Sequence, residues 1–234
     1  MKTHTAVIHR TTSQMGMYSI TLVVDGSLAF TPGQYLAANM QDDRSAVLPK
    51  ILYIEKVSGH EVTLCPRTLD GWRPGQAVFY RGPLGKGVRI PQFSKRMALI
   101  SLDDNPARML SLAAYGSENR LDMVMAGDWV ANAKISGDIP PSIELAPLSQ
   151  IQELTSWADF IFFDVPHSQL QSLGKLTQSI PALLRPGLAQ VLIHTPMPCI
   201  GIAECGICAV KTRRGYILAC QDGPVFDLLE ISFL

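Results

Sequence analysis

The sequence of 234 residues has no surplus of charge of either sign: 20 Lys and Arg face 20 Asp and Glu. A protein that holds nucleic acid by neutralising phosphates carries a basic excess, so nucleic-acid binding is not expected. No apolar run approaches the roughly 18 residues a membrane-spanning helix requires. The opening MKTHTAVIHRTTSQ lacks the apolar stretch of a secretory signal. These absences predict a soluble, cytoplasmic protein that keeps off the membrane. Gly-x-Ser-x-Gly, His-Glu-x-x-His and P-loop patterns are missing, so hydrolase and NTPase chemistry has no support. Histidine is scarce too: His4, His9, His60, His167 and His194 show no metal-ligand spacing. His194, five residues before Cys199, is open to a ligand or proton-relay role, against the commoner hydrogen-bonded structural one.

What is present is a globular composition, 47% hydrophobic and 17% charged, in a chain long enough for one large domain or two small ones. Residues 1 to about 92 read as all-β. Segments such as Tyr18–Val24 and Val47–Val57 are rich in β-branched and aromatic residues. The turn pairs Asp25-Gly26, Pro32-Gly33, Ser58-Gly59 and Pro74-Gly75 separate such segments. That spacing predicts a small barrel or sandwich. From 93 to 194 strands alternate with helices. Met97–Leu102, Leu121–Met125, Phe160–Phe163 and Val191–Ile193 read as strands, and Pro106–Tyr115 and Ser168–Leu184 as helical. The alternation predicts a parallel α/β sheet. The remaining residues, 195–234, are rich in Cys and Gly and end in an apolar tail, Leu228–Leu234.

Of five cysteines, Cys199, Cys205, Cys208 and Cys220 fall in C-x5-C-x2-C-x11-C spacing. In a reducing compartment, clustered thiols point to metal or redox chemistry rather than to disulfides. The plant-type [2Fe–2S] pattern is C-x4-C-x2-C with a distant fourth Cys; the first gap here is one residue longer. Zinc prefers paired C-x2-C hooks, and this chain has one. Structural zinc and unligated thiols therefore stay open beside a [2Fe–2S] cluster. Gly206 and Gly201 give the backbone freedom to turn amide groups toward the sulfurs. Cys65, in Val62-Thr-Leu-Cys-Pro66, reads as an ordinary core cysteine. Phe226, Trp72, Trp129 and Trp157 read as packing residues. Asp222-Gly-Pro224 reads either as a plain turn or as the shape of the cluster loop. The basic run Lys211, Arg213, Arg214 reads as a solvated hairpin tip, with docking of an acidic partner as the functional alternative.

Met197-x-Cys, then Cys205-Gly-Ile-Cys208, then Cys220-Gln-Asp-Gly-Pro-Val-Phe226 resembles the electron-transfer subunit of class 1B dihydroorotate dehydrogenase, in the ferredoxin–NADP reductase superfamily. Phe30-Thr-Pro-Gly-Gln-Tyr35 and Arg81-Gly-Pro-Leu-Gly-Lys-Gly-Val88 resemble that family's PGQF and GPLGxGF segments, in family order. The resemblance implies a six-stranded antiparallel β-barrel of FAD-binding type over 1–92, a parallel α/β domain of ferredoxin-reductase NAD type over 93–194, and a [2Fe–2S] lobe over 195–234. It implies Cys199, Cys205, Cys208 and Cys220 as cluster ligands. Gln34, Tyr35, Lys50, Leu52, Tyr53, Arg67, Thr68, Gly82, Pro83 and Gly85 follow as residues of an FAD site. The implied partner is a catalytic oxidoreductase subunit, such as an FMN-containing dihydroorotate dehydrogenase, in a homo- or hetero-oligomer.

Three departures qualify the resemblance. The family's Arg-Pro-x-Ser flavin motif corresponds to Val47–Ile54, where Lys50 and Tyr53 cannot reproduce an arginine's fork. The Gly-Thr pyrophosphate loop appears as Cys65-Pro-Arg-Thr-Leu69, with Thr68 kept and Arg67 able to contact phosphate. The glycine-rich dinucleotide loop is replaced by Asp103-Asp-Asn-Pro-Ala-Arg108, which places carboxylates where a phosphate would approach a helix N-terminus. Asp103 or Asp104 is expected to cap the helix instead, with Pro106 in its first turn. The expected function is electron relay through a [2Fe–2S] cluster and FAD, with direct NAD(P)H binding lost or strongly weakened. The alternatives are a flavin-free iron–sulfur relay or redox sensor, and a zinc-stabilised binding module.

Overall fold

The computed structural model describes residues 2–14, 17–42, 48–69, 71–131 and 139–233. Val47, at the start of one expected strand, and Leu234, at the end of the tail, lie outside them. Six strands, β1 (His4–Gln14), β2 (Met17–Val24), β3 (Tyr35–Met40), β4 (Lys50–Ser58), β5 (Glu61–Cys65) and β6 (Ala77–Leu84), close into a barrel in the order β1-β2-β5-β4-β3-β6. Every pairing is antiparallel. The expected barrel is therefore present. Its inside is set by period-2 alternation: Ile20, Leu22 and Val24 point in and are almost fully buried, while Val23 is 41% exposed. Leu36, Leu52, Ile54, Val62 and Leu64 complete the same interior.

One part of the barrel's outer face is also buried. Tyr35 on β3 pairs with Tyr53 on β4, and Tyr53 pairs with Cys65 on β5. This row of three packs into a second hydrophobic core, with the strands of the α/β body. That body contains β7 (Arg96–Ser101), α1 (Leu110–Glu118), β8 (Asp122–Ala126), β9 (Glu144–Ala146), α2 (Ile151–Trp157), β10 (Phe160–Pro166), α3 (Leu170–Thr177) and β11 (Ala189–His194). β7, β8, β9, β10 and β11 pair in parallel. Met97, Ala98, Leu99 and Ile100 have no exposed surface, as expected of a parallel strand covered on both faces.

The sheet differs from expectation at one edge. After β12 (Ala209–Thr212), β13 (Gly215–Leu218) and the short α4 (Ala219–Asp222), strand β14 (Val225–Asp227) pairs antiparallel with β11. The six-stranded sheet, ordered β14-β11-β10-β7-β8-β9, is thus mixed. Its edge strand comes from the cysteine-rich segment. Phe226 on this strand is a core residue, in line with its plain reading. The helix expected over 168–184 is shorter: α3 ends at Thr177, and Pro181, which cannot continue an α-helix, opens a separate 3-10 turn. Among the described residues no helix is long and apolar enough to cross a membrane.

Candidate functional site

The cysteine-rich loop follows β11 directly. Its backbone enters the left-handed region at Ile200 (φ 52°) and Ala203 (φ 66°) as well as at Gly201 and Gly206. A β-branched residue in this region is a costly choice, of order 1–3 kcal/mol, kept where surroundings over-determine the backbone. The outcome is a tight loop that folds its own amides onto a sulfur. Burial pushes the Cys199 thiol up, but the Cys205 side chain and the backbone N–H groups of Ala203, Cys205 and Glu204 outweigh it and bring it down to about 6. These amides come from the residues before Gly206.

The β12–β13 hairpin supplies the other two sulfurs. Ala209 pairs with Leu218, which sets Cys208 and Cys220 at its open end. The Ala219 amide donates to the Cys208 carbonyl at 3.0 Å, and the Cys220 amide to Cys208 Sγ at 3.4 Å. Burial first, then Cys208, then the charge and hydrogen bond of Cys199, push the Cys220 thiol up to about 12. Cys199 thus acts on Cys205 and Cys220, and Cys220 on Cys208, and all four are free thiols. Among the described residues no three His, Cys, Asp or Glu side chains gather as a metal-ion site. Cys205 is exposed, while Cys208 and Cys220 are buried. Asp222 accepts from the Leu218 amide at 3.1 Å and shapes the short helix that carries Cys220. Arg213 and Arg214 sit exposed at the hairpin tip.

Of the residues singled out for a flavin, Gly85 lies against this lobe, and Gln34 is bonded to Gly85. Gln34 donates from Nε2 to the Gly85 carbonyl at 2.9 Å and accepts from the Thr31 amide at 2.8 Å. The Lys86 amide donates to the Gly223 carbonyl at 2.6 Å. Gly85 has φ 79°, and a Cβ there would lie 2.5 Å from Pro224 Cδ. Gly82 and Pro83 lie just before Gly85, in β6, and a Cβ at Gly82 would lie 2.6 Å from Leu36 Cδ2 and 2.9 Å from the Tyr35 carbonyl. Tyr35 stands behind the cysteines. Its ring is 6.0 Å from that of Tyr53, and its hydroxyl is buried with no partner among the described residues. Burial, followed by the charges of Cys220, Cys208 and Cys199, pushes this hydroxyl well above its ordinary value.

Lys50, Leu52, Tyr53, Arg67 and Thr68 line a different feature. This is a cavity of about 680 Å³ between the barrel, the carboxyl ends of β10 and β11, and the loop Thr195–Pro198. Its size falls in the range of cofactor sites. Lys50 lies 5.6 Å from the centroid of the Trp72 ring. The Tyr53 hydroxyl is buried without a partner among the described residues. Cys65 also lines the cavity, with Sγ 3.3 Å from the Ala107 carbonyl. It is buried, as expected, and burial together with Glu55 pushes its thiol up.

Sequence reasoning missed the charged cluster at the inner end of this cavity. Arg108, 6% exposed, donates from Nε and Nη2 to the two carboxylate oxygens of Asp164, both at 3.0 Å, and from Nη2 to Asp103 at 2.6 Å. Asp164 has no exposed surface. His194 Nε2 lies 3.1 Å from Asp103 Oδ2 and 3.2 Å from Arg108 Nη2. Burial pushes the Asp103 carboxyl up, but the His194 hydrogen bond and the Arg108 charge reverse this and hold it well below the usual range. The helix cap expected at Asp103 or Asp104 is instead Asn105, whose Oδ1 accepts from the Ala107 amide at 2.9 Å. Asp103 is drawn inward by Arg108. The cluster occupies the crevice beyond the carboxyl ends of β7, β10 and β11, where open α/β sheets bind their ligands.

Residues 195–232 match the model of the iron–sulfur cluster binding domain of dihydroorotate dehydrogenase B. The chain is 24% identical to the electron transfer subunit of dihydroorotate dehydrogenase B (NAD(+)) from Clostridium perfringens, over 93% of each chain. In fold it is similar to an NADH-dependent reduced ferredoxin-NADP oxidoreductase studied for flavin-based electron bifurcation. There the TM-score is 0.74 and the identity 15%, with 97% of this chain and 90% of that one covered. It is also similar to the ferredoxin NADP+ reductase of Neisseria gonorrhoeae, solved with bound FAD and NADP. That comparison gives a TM-score of 0.60 and 10% identity over 82% of this chain and 99% of that one. The resemblance read from the motifs is borne out: a ferredoxin-reductase-like barrel and sheet end in a segment that matches the iron–sulfur cluster binding domain of dihydroorotate dehydrogenase B.

Proposed function

We propose that this chain is the electron-transfer subunit of a dihydroorotate-dehydrogenase-type complex. In this reading Cys199, Cys205, Cys208 and Cys220 hold a [2Fe–2S] cluster and the cavity between barrel and sheet holds FAD. The observation that carries it is the match of residues 195–232 to the iron–sulfur cluster binding domain of dihydroorotate dehydrogenase B, a segment that holds all four of these free thiols. That favours a cluster over zinc, whose sites prefer paired C-x2-C hooks. The amides of Ala203, Glu204 and Cys205 favour the thiolate form of Cys199, which is the form that binds iron.

For the flavin, the cavity volume, its largely apolar walls and the orphaned Tyr53 hydroxyl fit an aromatic cofactor with polar edges. Lys50, Leu52, Tyr53, Arg67 and Thr68 would hold it. Gln34, Tyr35, Gly82, Pro83 and Gly85 would fix the wall between it and the cysteines. The bound groups supply the electron chemistry, the cluster passing one electron at a time and the flavin linking one- and two-electron steps. The chain's residues set position and exclude water: Tyr35 and Tyr53 fill the space between cysteine lobe and cavity. The partner is a catalytic subunit with its own flavin, FMN, and the division near residues 92 and 194 marks barrel, sheet and cluster lobe.

Direct NAD(P)H binding is lost in this reading. Asp103 and Asp104 stand where amides would receive a phosphate, and Arg108 is already paired with two carboxylates. Lys50, over the Trp72 ring, is a weaker phosphate clamp than an arginine fork, which favours a flavin-free iron–sulfur relay as the second reading.

An anaerobic absorbance spectrum with metal, sulfide and flavin counts tests the proposal. Iron and acid-labile sulfide in equal amounts, with flavin at half that amount, is the expected result. Iron without flavin selects the second reading, and zinc without sulfide overturns both. Calorimetric titration with NADH and NADPH is expected to show no micromolar binding.

A further inference from the structure

The position of His194 Nε2 is unusual because it faces a donor and an acceptor at once. Asp103 Oδ2, 3.1 Å away, can accept a hydrogen bond, and Arg108 Nη2 lies 3.2 Å away. When Nε2 carries a proton it donates to Asp103, since both Arg108 Nη2 hydrogens already go to Asp103 and Asp164. The imidazolium and the neutral imidazole that has lost its Nδ1 proton therefore both keep this partner, although the side chain is only 8% exposed. An ordinary buried histidine loses a hydrogen bond in one of its states, and that loss fixes its protonation. The other nitrogen, Nδ1, makes no hydrogen bond among the described residues, and His194 lines the cavity beside Tyr53.

The charged and titratable groups around it come from several elements. Asp103 follows β7, Arg108 lies in the 3-10 turn before α1, and Asp164 on β10 anchors Arg108. Arg67, after β5, lies 3.8 Å from Asp103 at the solvent side. Tyr53, Cys65 and His167 share the cavity wall.

We propose that His194 is the proton-exchange residue for the flavin of this site, with Asp103 holding its Nε2–H throughout. This rests on the flavin reading above. The imidazolium gives up its Nδ1 proton as two successive electrons arrive from the cluster: the Nδ1–H bond breaks and an N–H bond forms on the flavin ring. The imidazole left behind keeps its Nε2–H on Asp103 and regains a proton from water at the Arg67 rim. In the oxidising direction the same bonds exchange in reverse. With hydride delivery from NAD(P)H lost, electrons arrive without a proton, and the buried site needs its own donor.

The test compares the purified holoprotein with His194→Gln, whose side chain hydrogen-bonds but carries no exchangeable charge. Flavin content is counted first; a wild-type protein without flavin overturns the underlying reading rather than this one. The flavin's reduction potential is then titrated between about pH 5 and 8, where histidine changes charge. An inflection in the wild-type curve that disappears in His194→Gln is expected. In rapid mixing, flavin reduction is expected to slow about a hundredfold in the variant, the usual scale of general acid loss, and to recover with added imidazole. Identical potential curves, or a slowed variant that imidazole does not rescue, overturn the proposal.

Discussion

Replacing Arg108 with methionine tests the physics of the inner cluster. Asp164 has no exposed surface, and its two oxygens take the Arg108 Nε and Nη2 at 3.0 Å, with Ser101 Oγ as the only further support among the described residues, at 3.5 Å. Methionine fills similar space but leaves that carboxylate uncompensated. Breaking one side of such a pair costs about 3–5 kcal/mol. For a chain of this size each kcal/mol lowers the midpoint by roughly 2–4 °C, so a fall of roughly 6–20 °C is expected at neutral pH.

The pH dependence has a definite sign. In the variant the buried Asp164 carboxylate has no compensating charge, so the deficit is greatest where that group is ionised and smaller where it is neutral. In the wild type, Asp103 is held below its ordinary range, so its contribution is present above that range and lost on acidification. The gap between variant and wild type should therefore narrow as pH falls from neutral toward the carboxylate range. The double variant Arg108→Met, Asp164→Leu should regain most of the loss, since an apolar pair can replace a buried ion pair. Anaerobic thermal and urea melts at several pH values measure all three proteins. A loss below about 1 kcal/mol, or a gap that widens on acidification, refutes the buried-pair account.

Other expectations follow from the same geometry. Cys199→Ser, Cys208→Ser and Cys220→Ser should each abolish stoichiometric iron and sulfide, whereas Cys65→Ser should keep the iron count unchanged. Gly85→Ala should destabilise by about 1–3 kcal/mol and loosen iron retention, because its Cβ would meet Pro224 Cδ at 2.5 Å. Gly26→Ala, where nothing lies within 4 Å, should cost only the backbone penalty of about 1–2 kcal/mol and leave iron untouched. Tyr53→Phe removes a buried hydroxyl that has no partner among the described residues and should leave the melting point level or higher, while measured flavin content reports whether that hydroxyl holds the cofactor.

The barrel and the cysteine quartet were legible because their signals are local. Alternation places Ile20, Leu22 and Val24 inside, and Asp25-Gly26 and Ser58-Gly59 bend the chain at positive φ. The C-x2-C hook and the Asp-Gly-Pro turn are also short-range. The charged cluster was not legible, because Arg108 meets residues 56 and 86 positions away. Without those partners, Asp103 reads as a helix cap, the role that Asn105 takes. The amide loop around Cys199 was visible only through its glycines. The left-handed Ile200 and Ala203 carry no sequence signature, since neither type favours that region. The antiparallel edge strand was hidden by its length of three residues.

That short strand ties the lobe's fate to the body of the protein. All six residues of β11 are buried, and Val225–Asp227 close its outer side. A chain cut after residue 194 would bare a row of unsatisfied amides and carbonyls along an apolar ribbon, an open template for other chains. In the proposed reading, a metal centre that tightened the thiols would also keep this seam shut, so its loading and the molecule's resistance to aggregation would become one property.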